Sequence, residues 1–205
     1  MPASNARYDL LKSRLRRFTR TLQGVEDGNI KALHSARIAS RRVRELLPVL
    51  QLDRAVTHKL IRRLRKVRRR LGRVREFDVL LELVGDLQES GRYSVAAMRK
   101  LTEHLQDERQ RVWKKKAARK PPAVELRQIA RSLNRVTRKL EDSDANREGA
   151  KGWRWAIDAR IARHASTLKT AIEDAGAMYL PERLHTVRIA LKKLRYSIEL
   201  YSSML

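Results

Sequence analysis

Two stretches of the chain carry the same basic pattern 151 positions apart, and each sets a histidine among arginines or lysines at helical spacing. Leu33 to Leu46 reads LHSARIASRRVREL, and Leu184 to Leu200 reads LHTVRIALKKLRYSIEL. His34 corresponds to His185, Arg37 to Arg188, Arg41 to Lys192, Arg42 to Lys193 and Arg44 to Arg195. At about 100° per residue, His34, Arg37, Arg41 and Arg44 share an arc of about 80°, and His185, Arg188, Lys192 and Arg195 repeat it. Arg42 and Lys193 point to the other flank. Like charges three and four positions apart repel on a helix, so a cationic stripe kept twice points to an anion supplied from outside. Arginine presents a planar donor fork that matches phosphate oxygens, whereas lysine is a mobile point charge; 34 Arg against 14 Lys therefore favours phosphate. Each histidine either fills a half-buried packing position or touches the ligand, and a nearby polyanion would favour its charged form.

A third basic element lies between them. Arg54 to Arg75 spans 22 residues with 11 Arg or Lys and no acid, yet keeps an apolar pattern at Leu60, Leu64, Val67, Leu71 and Val74. That is the signature of a folded cationic helix. Arg62, Arg65, Arg69 and Arg73 form one ridge on it, and Arg63, Lys66 and Arg70 another. A further run, Lys114 to Lys116 with Arg119 and Lys120, reads as a solvated helix end.

Other chemistries find little footing. Cysteine is absent and five histidines are scattered, so thiolate catalysis, disulfides and zinc-thiolate sites are excluded, and no metal site or cofactor is expected. No Gly-rich phosphate loop or acidic metal cluster is present for phosphoryl transfer or hydrolysis. Asp78 and Glu82 read as a cap, salt bridge or solvated pair. No catalytic residue is assigned.

The elements that must carry these stripes are helical. The chain has 205 residues, a charge of +25 (48 basic against 23 acidic residues), 42% hydrophobic content and only 8 Gly and 5 Pro. Such a composition is too hydrophobic for disorder and builds an aliphatic core. Helices are predicted over 7–23, 30–47, 53–71, 75–87, 93–119, 124–141, 152–173 and 181–203. Asp53 is placed to cap the third, and Pro181 suits the first turn of the last. Breaks fall at GVEDGN, GDLQESG, Pro121-Pro122, EDSDANREG and AGAMYLP. The fold class is all-α, antiparallel helical bundles, with approximate halves 1–120 and 121–205. The chain opens without a signal-like apolar run and has no membrane-length segment, so a cytoplasmic protein is the expectation.

The paired motifs resemble the CHAD family, the conserved histidine α-helical domain associated with inorganic polyphosphate. His34 to Arg44 resembles the family's first His/Arg helix, His185 to Tyr196 the second, and LGRVREFDVLLE at Leu71 to Glu82 the segment that follows the first. The resemblance implies two helical bundles related by a pseudo-twofold axis, with basic residues lining a groove or pore for polyphosphate. It implies His34, Arg37, Arg41, Arg42, Arg44, His185, Arg188, Lys192, Lys193 and Arg195 as ligand contacts, and Arg75 with Asp78 as a positioning element. Glu76 stands where the family pattern usually has Asp. Family members commonly continue past the second motif, so the second bundle is expected to be partial, with self-association as a consequence if Leu194, Ile198 and Tyr201 are uncovered. Non-enzymatic polyphosphate binding, at polyphosphate granules, is the expected function. Sequence-independent nucleic-acid binding is the alternative, with Trp113, Trp153 and Trp155 available for stacking, and phosphohydrolysis stands third.

Overall fold

The computed structural model describes residues 6–119, 121–145, 152–176 and 180–202. Lys120, Ser203, the end of the polar stretch after Ala145 and part of the segment before Pro181 lie outside the described residues. Among the described residues the chain forms α1 (Ala6–Arg20), α2 (Leu22–Glu26), α3 (Ile30–Leu46), α4 (Arg54–Arg70), α5 (Gly72–Glu89), α6 (Val95–Arg119), α7 (Pro122–Ala145), α8 (Gly152–Ala175) and α9 (Pro181–Ser202), with a 3-10 turn at Leu47–Val49 and no strand. The fold is all-α.

Local chemistry sets the boundaries. Asp53 Oδ1 accepts from the Val56 amide at 2.8 Å and caps α4 as expected, and Asn29 Oδ1 does the same for Ala32 at the start of α3, 3.0 Å away. Each satisfies an amide that has no partner within its helix. Pro122 and Pro181 both open helices, where a missing N–H loses nothing. α5 runs through Gly85 to Glu89, two residues past the expected end at 87, and the left-handed stop comes at Gly91, φ +67°, the last residue of the GDLQESG stretch where the break is expected. The expected turn before Asn29 is partly helical, as α2, and closes at Gly28, φ +68°.

The chain packs as two compact units that interleave in sequence: 1–14, 42–58 and 134–205 in one, 15–41 and 59–133 in the other. This is a division by packing, whereas the halves meeting at residue 120 are one of chain order. In the second unit Leu60, Leu64, Val67, Leu71 and Val74 are all buried, with Phe18, Leu33, Leu126 and Ile129. The α4 periodicity thus does pack as read, and each such side chain contributes about 1.5–3 kcal/mol relative to exposure. There α5 and α6 pack together.

In the first unit α8 packs on α9 and on the 3-10 turn, and Leu47, Leu50, Trp153 and Ile157 are buried. The face of α9 marked by Leu184, Val187, Leu191, Leu194 and Ile198 is not the packing seam. Leu184, Leu191 and Ile198 are exposed, and the buried positions are Ala190, Ser197 and Leu200. Ser197 Oγ donates to the Lys193 carbonyl (3.1 Å) and lies 2.8 Å from His164 Nδ1 of α8. Small and hydrogen-bonded side chains bring the helices together at an angle that hydropathy alone does not reveal.

Two glycines should respond oppositely to alanine. A Cβ at Gly28 would stand 2.7 Å from Trp113 Nε1 in a left-handed conformation, whereas one at Gly85 meets nothing within 4 Å. Gly28→Ala is expected to lower stability by about 1–3 kcal/mol. Gly85→Ala, inside a helix, should raise it by about 0.5–1 kcal/mol. Chemical denaturation of both variants checks the pair.

Candidate anion-binding faces

The α3 stripe begins with exposed His34 and continues into half-buried Arg37 and Arg41. Arg37 is held by its Nη1, which donates at 3.1 Å to the carbonyl of Arg68 in the last turn of α4. That carbonyl sits at the negative end of the helix dipole, a natural seat for a guanidinium. Burial pushes the Arg37 pKa below the ordinary arginine range, the charges of Arg41 and Arg75 push it further down, and Asp78 and Glu76 oppose them only in part. Arg37 nonetheless stays a cation at neutral pH.

Arg42 and Arg44, at the end of α3, belong to the first unit and are met by carboxylates. Arg44 Nη2 donates to Glu45 Oε1 at 2.6 Å, and Arg160 Nη2 to Glu45 Oε2 at 2.5 Å. Burial alone would raise the Glu45 pKa, but hydrogen bonding and the charges of Arg44 and Arg160 outweigh it and hold the carboxyl below its usual range. Arg42 Nη2 lies 3.8 Å from Glu199 Oε2, and Arg195 Nε lies 3.3 Å from Glu199 Oε1. Arg14, Arg42, Glu45, Tyr196, Glu199 and Leu200 line a small recess. Arg42, Arg44 and Arg195 are thus engaged in ion pairs, contrary to the premise of stripes without internal counterions.

On α9, His185, Arg188, Lys193 and Arg195 are exposed and Lys192 is half-buried. Arg195 lies over the Tyr196 ring, 5.2 Å from its centroid. On α4, Arg62, Arg65 and Arg69, with Arg73 at the start of α5, are all exposed, opposite the buried leucines. This ridge is the outer face of an amphipathic helix. The companion ridge is split in role. Arg63 donates to Ser132 Oγ and Gln128 Oε1, both at 3.3 Å. Arg70 donates to Glu125 Oε2 at 2.8 Å and to the Lys116 carbonyl at 3.1 Å. These two tie α4 to its neighbours, while Lys66 between them is exposed.

The positioning element is not an Arg75–Asp78 pair. Arg75 forks onto Glu82 with both bonds at 3.0 Å, and the Glu82 pKa is lowered first by that hydrogen bond, with the charges of Arg75 and His34 adding to it. Asp78, fully buried, instead accepts from Arg109 Nε at 2.7 Å, while Arg109 Nη2 donates to the Gly28 carbonyl at 2.9 Å. Sequence reasoning missed Arg109, Arg160, Glu45 and Glu199. Two signals were available: Asp78, since a carboxylate on a buried helix face needs a cation from elsewhere, and the i,i+4 spacing of Arg195 and Glu199.

A family model for the CHAD domain matches residues 9–205. The chain belongs to the CHAD domain family. The match takes in both histidine helices and everything between them, so the resemblance read from the two motifs extends over essentially the whole chain. CHAD is a family associated with polyphosphate binding or with triphosphate tunnel proteins. No curated protein and no solved structure matches the chain. In this CHAD domain no described helix is long and apolar enough to cross a membrane.

The Glu45 ion pairs give the first unit a pH dependence. The folded-state pKa lies below the unfolded value, so the contribution is fully present above about pH 4.5 and is lost as pH falls through the folded value. Glu45→Gln should flatten that part of the acid limb, as read by thermal melts across the acidic range.

Proposed function

We propose that this CHAD domain binds inorganic polyphosphate along its basic helix faces and performs no chemistry on it. The observation that carries the reading is the crowding around Arg37. A half-buried guanidinium, Arg37, lies beside Arg41 and Arg75, whose charges add to burial in lowering its pKa, and a phosphate chain supplies closely spaced negative oxygens that suit such a cluster. Arg188, Lys192 and Lys193 offer the corresponding face on α9, beside His185. His34, Arg37 and Arg41 form the α3 face. Arg44, Arg42 and Arg195 join through exchange of Glu45 or Glu199 for phosphate. The Arg62, Arg65, Arg69 and Arg73 ridge adds long-range attraction. Cytoplasmic polyphosphate granules are the natural setting for this activity.

The non-enzymatic part of the proposal rests on how the carboxylates are engaged. Asp78 is held by Arg109 and Glu82 by Arg75. Among the described residues no group of three or more His, Asp or Glu could hold a metal ion. Release of phosphate from polyphosphate by the purified protein, with or without divalent cation, would overturn this part.

The basic residues of α9 give the direct test. Arg188→Gln, Lys192→Gln and Lys193→Gln together should leave helicity intact and weaken polyphosphate binding. The slope of log affinity against log salt should fall by about 2, at roughly 0.7 for each charge that no longer neutralises a phosphate of a single-stranded polyanion. Unchanged affinity and slope would remove α9 from the site.

Nucleic acid is the second reading, and one residue favours it. Trp153 is buried and Trp113 lies against Gly28, but Trp155 on α8 is 77% exposed, a free surface on which a base could stack. In competition at equal ionic strength, polyphosphate is expected to displace single-stranded DNA and RNA. Trp155→Ala should leave polyphosphate affinity unchanged. Preferential retention of nucleic acid, lost in Trp155→Ala, would reverse the order of the two readings.

A further inference from the structure

We propose that the outer face of the paired helices α8 and α9 is an interface with a second copy of this chain, two such pairs closing into a four-helix bundle. On α9, Leu184, Val187, Leu191, Leu194, Ile198 and Tyr201 follow one another at alternating intervals of three and four. That is the spacing of a helix seam that receives another helix. The internal repeat supplies the comparison. The equivalent positions of the first copy of the motif, Leu33, Ala36, Ser40, Val43, Leu47 and Leu50, are at most 2% exposed. In the second copy Leu184, Leu191, Ile198 and Tyr201 are 41, 53, 46 and 39% exposed. The same sequence pattern is closed over once and open once.

The neighbouring helix carries a similar stripe. Ile161, Leu168 and Ile172 of α8 share one side, with Ile161 and Leu168 half-buried and Ile172 exposed. The area suffices for a stable pair. The 22 residues of α9 extend roughly 33 Å at 1.5 Å per residue. Two helices about 10 Å apart then present on the order of 650 Å² per copy, or about 1,300 Å² in total, within the range of specific interfaces.

Each copy carries a charge of +25, so overall repulsion opposes the association and salt relieves it. Self-association should therefore strengthen as salt rises, while binding to a polyanion weakens. Dimerisation by this face does not require polyphosphate binding, and the opposite salt dependences keep the two separable.

Sedimentation equilibrium of the full chain without polyphosphate, over a range of salt, tests it. The mass is expected to double from 23.9 kDa in the micromolar range at high salt. The double variant Leu191→Asn, Ile198→Asn should weaken association by at least about 10-fold. Both positions are exposed and the replacements uncharged, so helicity and the field over the basic stripe are retained. Val79→Asn, at an exposed apolar position on α5, should leave the dimer intact. A wild-type chain that stays monomeric at every salt concentration overturns the proposal. So does a dimer that survives the α9 variant or dissolves in the α5 one.

Discussion

Arg37 is buried far enough that its charge is poorly solvated, yet it is kept beside Arg41 and Arg75 by a bond to the Arg68 carbonyl. Much of the structure is arranged around cations of this kind, which cannot move apart without breaking a bridge between helices. Arg109 joins buried Asp78 to the Gly28 carbonyl, Arg70 joins Glu125 to the Lys116 carbonyl, and Glu45 takes both Arg44 and Arg160. Arg109 and Arg70 each satisfy two groups at once, which the forked guanidinium allows and an ammonium would not do as well. Removing one partner from such a set leaves a buried charge or carbonyl exposed to the full desolvation penalty.

The consequence is a division of labour among chemically identical residues. Acids are few, 23 against 48 bases, and Asp78, Glu125 and Glu45 pair with the partly buried Arg109, Arg70, Arg44 and Arg160. Positive charge without a local counterion is thereby concentrated at exposed positions such as Arg188 and Lys193 on α9 and the Arg62 to Arg73 ridge on α4. A surface of that kind attracts any polyanion. Only where cations converge, as around Arg37, is there reason for close phosphate binding rather than diffuse attraction.

Much of this was legible in the sequence. Periodicity at Leu60, Leu64, Val67 and Leu71 located the buried face of α4, and Asp53 marked its start, because both depend on neighbours three or four residues away. The two His/Arg helices were legible because one repeats the other. What could not be read was each arginine's partner. Arg44 and Arg195 looked free of counterions, yet Glu45 is adjacent to one and Glu199 four residues from the other. Arg109 and Arg160 reach acids 31 and 115 positions away, and no spacing rule predicts such pairs.

The repeat was informative about chemistry and misleading about packing, and the reason is physical. A basic stripe depends only on which residues occur at which positions of one helix, so duplication carries it over intact. A buried seam depends also on what lies opposite. In α3 the apolar face is covered, while α9 turns Ala190 and Ser197 toward α8 and leaves its leucines outward. Since small residues permit close approach, the packing against α8 is set by Ala190, Ser197 and the His164 hydrogen bond. Leu184, Leu191 and Ile198 of α9 are left outward. A repeated basic pattern therefore coexists with unequal burial of the apolar face beside it.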